Sequence, residues 1–155
     1  MDVLAALEAS AFATWLRESG SLWAYPTVLT LHTVGLSLLV GANIVLDLRI
    51  LGFARRIPLV PLVRLFRVMW IGFVVNAVSG VMLFVADATV KGTQTIFFVK
   101  LALIVCGVVT IVSLRKIFAR DAASSAMSGR SRVLAAASLV IWAGAIAAGR
   151  FMAYL

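Results

Sequence analysis

Four long apolar runs, at 22–49, 62–86, 95–118 and 132–155, leave this chain little choice of solvent. Each is at least as long as the about 20 residues a helix needs to cross a hydrocarbon layer of ~30 Å. Inside such a layer every backbone N–H and C=O must be satisfied within the segment, which selects helices. The runs take up most of the 155 residues, so a separate soluble catalytic domain has no place. A share of 63% hydrophobic side chains against 13% charged ones agrees. The chain reads as an all-α membrane protein: one membrane domain over 1–155, an antiparallel bundle of four transmembrane helices with the lipid bilayer as its first partner.

Ahead of the first run, Val3, Leu4, Leu7, Ala11, Phe12, Trp15 and Leu16 recur at helical spacing among Asp2, Glu8, Arg17 and Glu18. This predicts an amphipathic helix over 2–19 lying in the membrane interface. Its acidic start lacks the basic head and small-residue cleavage site of a secretory signal, so it is expected to stay in the mature protein. Asp121 to Arg130 is small and polar and predicts a mobile loop. Cys106, the one cysteine, excludes an internal disulfide and a CxxC pair, and its apolar surroundings predict a small core residue.

The net charge of +8 is concentrated in two connections. Arg49, Arg55, Arg56, Arg64 and Arg67 surround the first, and Arg115, Lys116, Arg120, Arg130 and Arg132 the third, against Asp47 and Asp121. The N-terminal segment and second connection carry Asp2, Glu8, Glu18 and Asp87 against Arg17 and Lys91. Positive-inside bias then places the arginine-rich connections in the cytoplasm of a bacterial inner membrane and both chain ends on the periplasmic side. This accounts for the basic charge without a nucleic-acid partner.

Function has to come from the polar groups a bilayer disfavours. These are His32 and Asn43 in the first helix, Asn76 and Ser79 in the second, Lys100 in the third and Arg150 in the fourth. At ~1.5 Å per residue, His32 and Asn76 lie about 15 Å below the outer boundary, and Lys100 and Arg150 roughly 8–9 Å. A bundle brings such residues to one interior site. Plainer readings compete: the two cations snorkel to headgroups, His32 is a neutral interhelical partner, and Asn76, between Gly72 and Gly80, marks close packing.

Taken together, the four fit a planar anionic cofactor, haem b. His32 supplies the metal ligand, Lys100 and Arg150 pair with the propionates, and Asn76 assists. Gly35, Gly72 and Gly80 leave room for the macrocycle, Phe97, Phe98 and Trp142 give apolar walls, and Met82 or Met152 is available as a second ligand.

The strings Leu31–His32–Thr33–Val34–Gly35, Asp47–Leu48–Arg49–Ile50–Leu51–Gly52, Phe97–Phe98–Val99–Lys100–Leu101 and Ala148–Gly149–Arg150–Phe151–Met152 carry a resemblance. With Trp70, Gly72–Phe73 and Ser79–Gly80, they resemble a family of uncharacterised small bacterial four-helix inner-membrane proteins, over nearly the whole chain. More distantly, the Leu–His of the first helix and the Val–Lys–Leu of the third are similar to the four-helix membrane protoporphyrinogen oxidase and the membrane domain of copper-resistance protein D. The oxidase resemblance implies haem b on His32 and a functional lysine at Lys100. The chain departs from it in having one histidine and in Gly149–Arg150. Electron transfer or haem handling is therefore implied, and enzyme identity is not.

Other chemistries have less support. A serine nucleophile has only His32 as base and no buried carboxylate in the outer half to orient it. The methionines and Cys106 are too dispersed for a copper path. A proton relay through His32, Asn76 and Lys100 lacks an intramembrane acid. The competing reading is a non-catalytic accessory or assembly subunit. There, Ala137, Ser138, Ala143, Gly144, Ala145, Ala147, Ala148 and Gly149 admit a membrane-protein partner or a second copy of the chain.

Overall fold

The computed structural model describes residues 3–21, 23–53, 56–121 and 128–154. Among them the chain is helical, without strands: α1 Val3–Glu8, α2 Ala11–Glu18, α3 Ala24–Leu51, α4 Leu59–Leu62, α5 Leu65–Ala86, α6 Ala88–Thr93, α7 Thr95–Asp121 and α8 Gly129–Phe151. Helices α3, α5, α7 and α8 are long and apolar enough to cross a membrane.

The long helices differ from expectation at their ends, for local reasons. The first begins at Ala24, with Leu22 outside the described residues, and runs on to Leu51. Gly52 stops it in the left-handed region at φ 101°, its N–H reaching the Leu48 and Arg49 carbonyls. The run expected over 62–86 is α5, which begins at Leu65 after the short α4. The third helix continues to Asp121, and Ser128 caps the fourth by accepting from the Ser131 N–H. Of the loop expected between them, 122–127 lie outside the described residues, as does Leu155.

Missing side chains set how the helices meet. A Cβ on Gly72 would stand 2.6 Å from the Leu39 nitrogen and 2.7 Å from the Gly35 oxygen. One on Gly35 would stand 2.7 Å from the Asn76 nitrogen, so α3 and α5 touch backbone to backbone. His32 lies by Gly80 and Gly35 by Gly72, so numbers rise along α3 as they fall along α5. On the other side Gly107 of α7 receives the Trp142 ring of α8, and Gly149 of α8 receives Lys100 of α7. A seam between α3 and α8 completes the core around Leu39, Leu46, Ile50, Met69, Leu114 and Trp142. Helices α5 and α7 share no comparable seam, and the Phe84 and Phe97 rings stack between them at 4.9 Å.

Cys106 is exposed on α7, in line with exposed Val105 and Val109, which corrects the core assignment made for it. Being apolar, it is equally at home against lipid, so composition did not decide its direction.

The N-terminal segment expected as one helix over 2–19 is two. Ser10 interrupts it and caps α2, accepting from the Ala13 N–H at 3.3 Å. Ala13 and Leu16 are buried, and Leu16 joins Ala24, Val28, Leu83 and Ala86 in a small second core. Arg17 locks this arrangement by donating to the Ala86 carbonyl at 2.6 Å and pairing with Glu8 at 3.2 Å. Glu8 in turn accepts from the Thr89 hydroxyl and, at 2.8 Å, from the Thr89 N–H.

The Thr89 hydroxyl and then its N–H hold the Glu8 carboxyl below its ordinary range, against an opposing effect of burial that exceeds the small further help from Arg17. A depressed native pKa contributes stability above the unfolded value, about 4.3, that is lost as pH falls through the native value. Acidification is therefore expected to release α1 from α6, and to loosen α2 from α5 through Arg17, before the bundle opens. Hydrogen exchange of the α1 and α2 amides should rise with falling pH. Glu8→Gln should show fast exchange already at neutral pH, and an unchanged Glu8→Gln profile would refute the clamp.

Candidate functional site

His32 is half-buried at the α3–α5 contact. Its Nδ1 lies 3.0 Å from the Asn76 backbone oxygen and 3.2 Å from Ser79 Oγ. A carbonyl can only accept, so Nδ1 carries a proton; in the neutral ring Nε2 presents its lone pair. Asn76 closes the pairing in the other direction, its Nδ2 donating to the His32 carbonyl at 2.8 Å. Ser79 donates to the Val75 carbonyl at 2.6 Å and keeps lone pairs for the imidazole. Gly80 completes the seat: a Cβ there would stand 3.1 Å from His32 Cε1.

This ring faces a cavity of about 250 Å³ lined by His32, Asn76, Lys100 and Arg150, with Phe73, Leu39, Ile104 and Trp142 among its apolar walls. Two further spaces share His32 and Lys100 with it. One, of about 390 Å³, lies between α5 and α7 against Val81, Phe84, Phe97 and Leu101. The other, of about 380 Å³, extends past Tyr25, Asp87, Lys91 and Met152. The four residues singled out from the sequence thus line one cavity.

Their settings differ. Lys100 is half-buried and turned over Gly149, whose missing Cβ would stand 3.4 Å from Nζ. It forms no hydrogen bond or ion pair among the described residues. Arg150 is exposed and rests over the Tyr154 ring at 5.5 Å. The acid bordering this region, Asp87, is tied to Lys91 at 2.8 Å. Among the described residues the cavity therefore presents two cations without local compensation, an environment that favours an anion.

Several neighbours of the expected site lie elsewhere. Gly35 and Gly72 are spent on helix contact and leave no room for a ligand; Gly80 borders the two further spaces, and Gly149 the cavity itself. Phe98 is exposed and is not a wall, whereas Phe97 and Trp142 are. Met152 lines the shared space, while Met82 packs on the second core with α2. Ser79 was recognised as polar but not as a partner of His32; its position three residues after Asn76 on one helix face was the available signal.

Asn43 belongs to a different place. With Asp47 and Ser138 it forms a fully buried polar cluster between α3 and α8. Asp47, taken from sequence as part of a polar helix end, is interior because it shares the α3 stripe that buries Leu39, Asn43, Leu46 and Ile50. Among the described residues no group of three or more His, Cys, Asp or Glu stands ready for a metal ion.

Fold and cavity define the class: an all-helical protein with four helices long and apolar enough to cross a membrane, enclosing a space lined by one histidine and two cations. Compared with known protein families, with proteins of curated function and with solved structures, the chain shows no match.

Proposed function

We propose that this is a small bacterial inner-membrane protein that binds haem b in its cation-lined cavity, for electron transfer or haem handling. The observation that carries the reading is the setting of His32. Its Nδ1 is fixed by the Asn76 carbonyl and Ser79, so Nε2 is oriented for an iron, with Lys100 and Arg150 on the same cavity. A ligand histidine held through its other nitrogen is oriented and made more basic. Haem b would supply a one-electron couple at its iron. The chain supplies the ligand, an apolar slot and two cations for the propionates, with Met152 bordering the same space.

The test is the visible spectrum of full-length protein expressed with ample haem and purified in mild detergent. A Soret band is expected. Lys100→Gln should weaken haem binding roughly ten-fold, as the loss of a charge-assisted bond does. Arg150→Gln should weaken it only about two- to five-fold because Arg150 is exposed. Both should keep the wild-type coordination spectrum. Colourless wild-type protein would end the haem reading.

The same proposal includes an antiparallel bundle with both chain ends periplasmic, supported by the helix contacts and the arginine bias. Exposed Phe12 and Trp15 on α2 favour an interfacial position for that segment. Cysteines at Arg56 and Thr93, both exposed, are expected to react with impermeant maleimide from opposite sides of the membrane. Reaction from one side would overturn the topology.

One observation favours the accessory-subunit alternative. Ser138, Ala145 and Ala148 are spent inside the bundle, but Ala136, Val140, Ala143 and Ala147 form an exposed small-residue stripe along α8. A partner helix or a second copy of the chain packs closely on such a face. Colourless protein that copurifies with a fixed membrane partner is the outcome this reading expects.

A further inference from the structure

Asp47 is fully buried, one turn beyond Asn43 on α3 and facing α8. The Asn43 amide donates to Asp47 Oδ2 at 2.5 Å and to Ser138 Oγ at 2.8 Å, which uses both of its protons. Asp47 Oδ1 and Asn43 Oδ1 are left buried with no partner. The nearest orphan donor along α8, Trp142 Nε1, belongs to a ring seated against Gly107 and reaches neither oxygen.

Among the described residues no cation pairs with the carboxyl. The ion pairs among the described residues are Arg17–Glu8 and Lys91–Asp87, both far along the chain from it. On α3 itself, Arg49 turns away to the Ile57 carbonyl at 2.7 Å. At this end of the packed helices Arg67 on α5, Arg115 and Lys116 on α7, and Arg130 and Arg132 on α8 are exposed, as is Arg64 at the α5 cap, while Lys100 and Arg150 belong to the opposite end. An ionised Asp47 would be a fully buried charge with one oxygen unpartnered and only the neutral Asn43 and Ser138 beside it, a setting that favours the neutral acid.

We propose that Asp47 is a proton-binding site whose carboxyl is held neutral at neutral pH, with Asn43 and Ser138 as its polar cradle. One proton on Oδ1 removes the charge and turns an orphan acceptor into a donor, with no other bond made or broken. The proton is exchanged with water near the arginine-rich end of the bundle, about 6 Å beyond Asp47 along α3. An alkali ion is the poorer occupant, because it needs several more oxygens where the walls are hydrocarbon. This site does not depend on the haem reading and stands or falls separately from it.

The test is infrared spectroscopy of full-length protein labelled with [¹³C]aspartate, reconstituted in lipid in sodium-free buffer. A label-shifted carbonyl band of a protonated carboxylic acid is expected at neutral pH and is absent from Asp47→Asn. Sodium or potassium chloride should leave the band unchanged. Asp47→Asn, which keeps a neutral group of the same shape, should unfold at the wild-type temperature at neutral pH. Absence of the labelled acid band at neutral pH in wild-type protein overturns the proposal without recourse to any variant. Loss of the band on adding sodium also overturns it, in favour of a cation site.

Discussion

His32→Ala is expected to abolish the Soret band of haem-supplied protein while leaving the bundle folded. On the haem reading the imidazole would be the ligand, so its loss would remove a bond to iron rather than a contact around the ring. The losses at Lys100 and Arg150 differ in kind, since they reduce occupancy and leave the ligand field alone. Folding is separable from ligation because the α3–α5 seam rests on Gly35 and Gly72 and on the Asn76 amide bond to the His32 carbonyl, all of which alanine preserves. A sharper form uses His32→Gly with added imidazole. Restoration of the band by imidazole, with circular dichroism unchanged throughout, assigns the effect to the metal ligand. A wild-type spectrum in His32→Ala would exclude His32 as that ligand.

The part of this site that shows in the sequence is what an apolar background exposes. His32, Asn76, Lys100 and Arg150 stand out because a bilayer tolerates such groups only with a reason, and helical rise alone places them at related depths. Helix rotation is not given by that argument. Asp47 sits two residues from Arg49 and four from the helix end, so along the chain it belongs with a polar flank. Only the packed stripe through Leu39, Asn43, Leu46 and Ile50 turns it inward. The glycines show the same limit. Gly35, Gly72 and Gly80 are alike on paper, yet two carry backbone contact and one makes way for an imidazole. The split of the N-terminal segment was written locally, in Ser10, a residue type that caps helices. The apolar periodicity on either side of it concealed the break.

Gly72→Ala is expected to be strongly destabilising. The new Cβ would stand 2.6 Å from the Leu39 nitrogen and 2.7 Å from the Gly35 oxygen, and neither is a side chain that can swing aside. The helices must separate, and overpacking of this type costs about 1–3 kcal/mol where the neighbours can move, and more where they cannot. The same displacement reaches the site, because the 3.0 Å contact from His32 Nδ1 to the Asn76 carbonyl crosses this seam one turn away. Gly72→Ala should therefore lower the melting temperature and the haem occupancy together, while the residual bound fraction keeps wild-type coordination. Gly41→Ala is the control, since a Cβ there meets nothing within 4 Å and alanine favours the helix. It should melt at or slightly above the wild-type temperature. Equal melting of the two variants would mean that α3 and α5 do not meet at Gly72, and that the seat assigned to His32 is wrong.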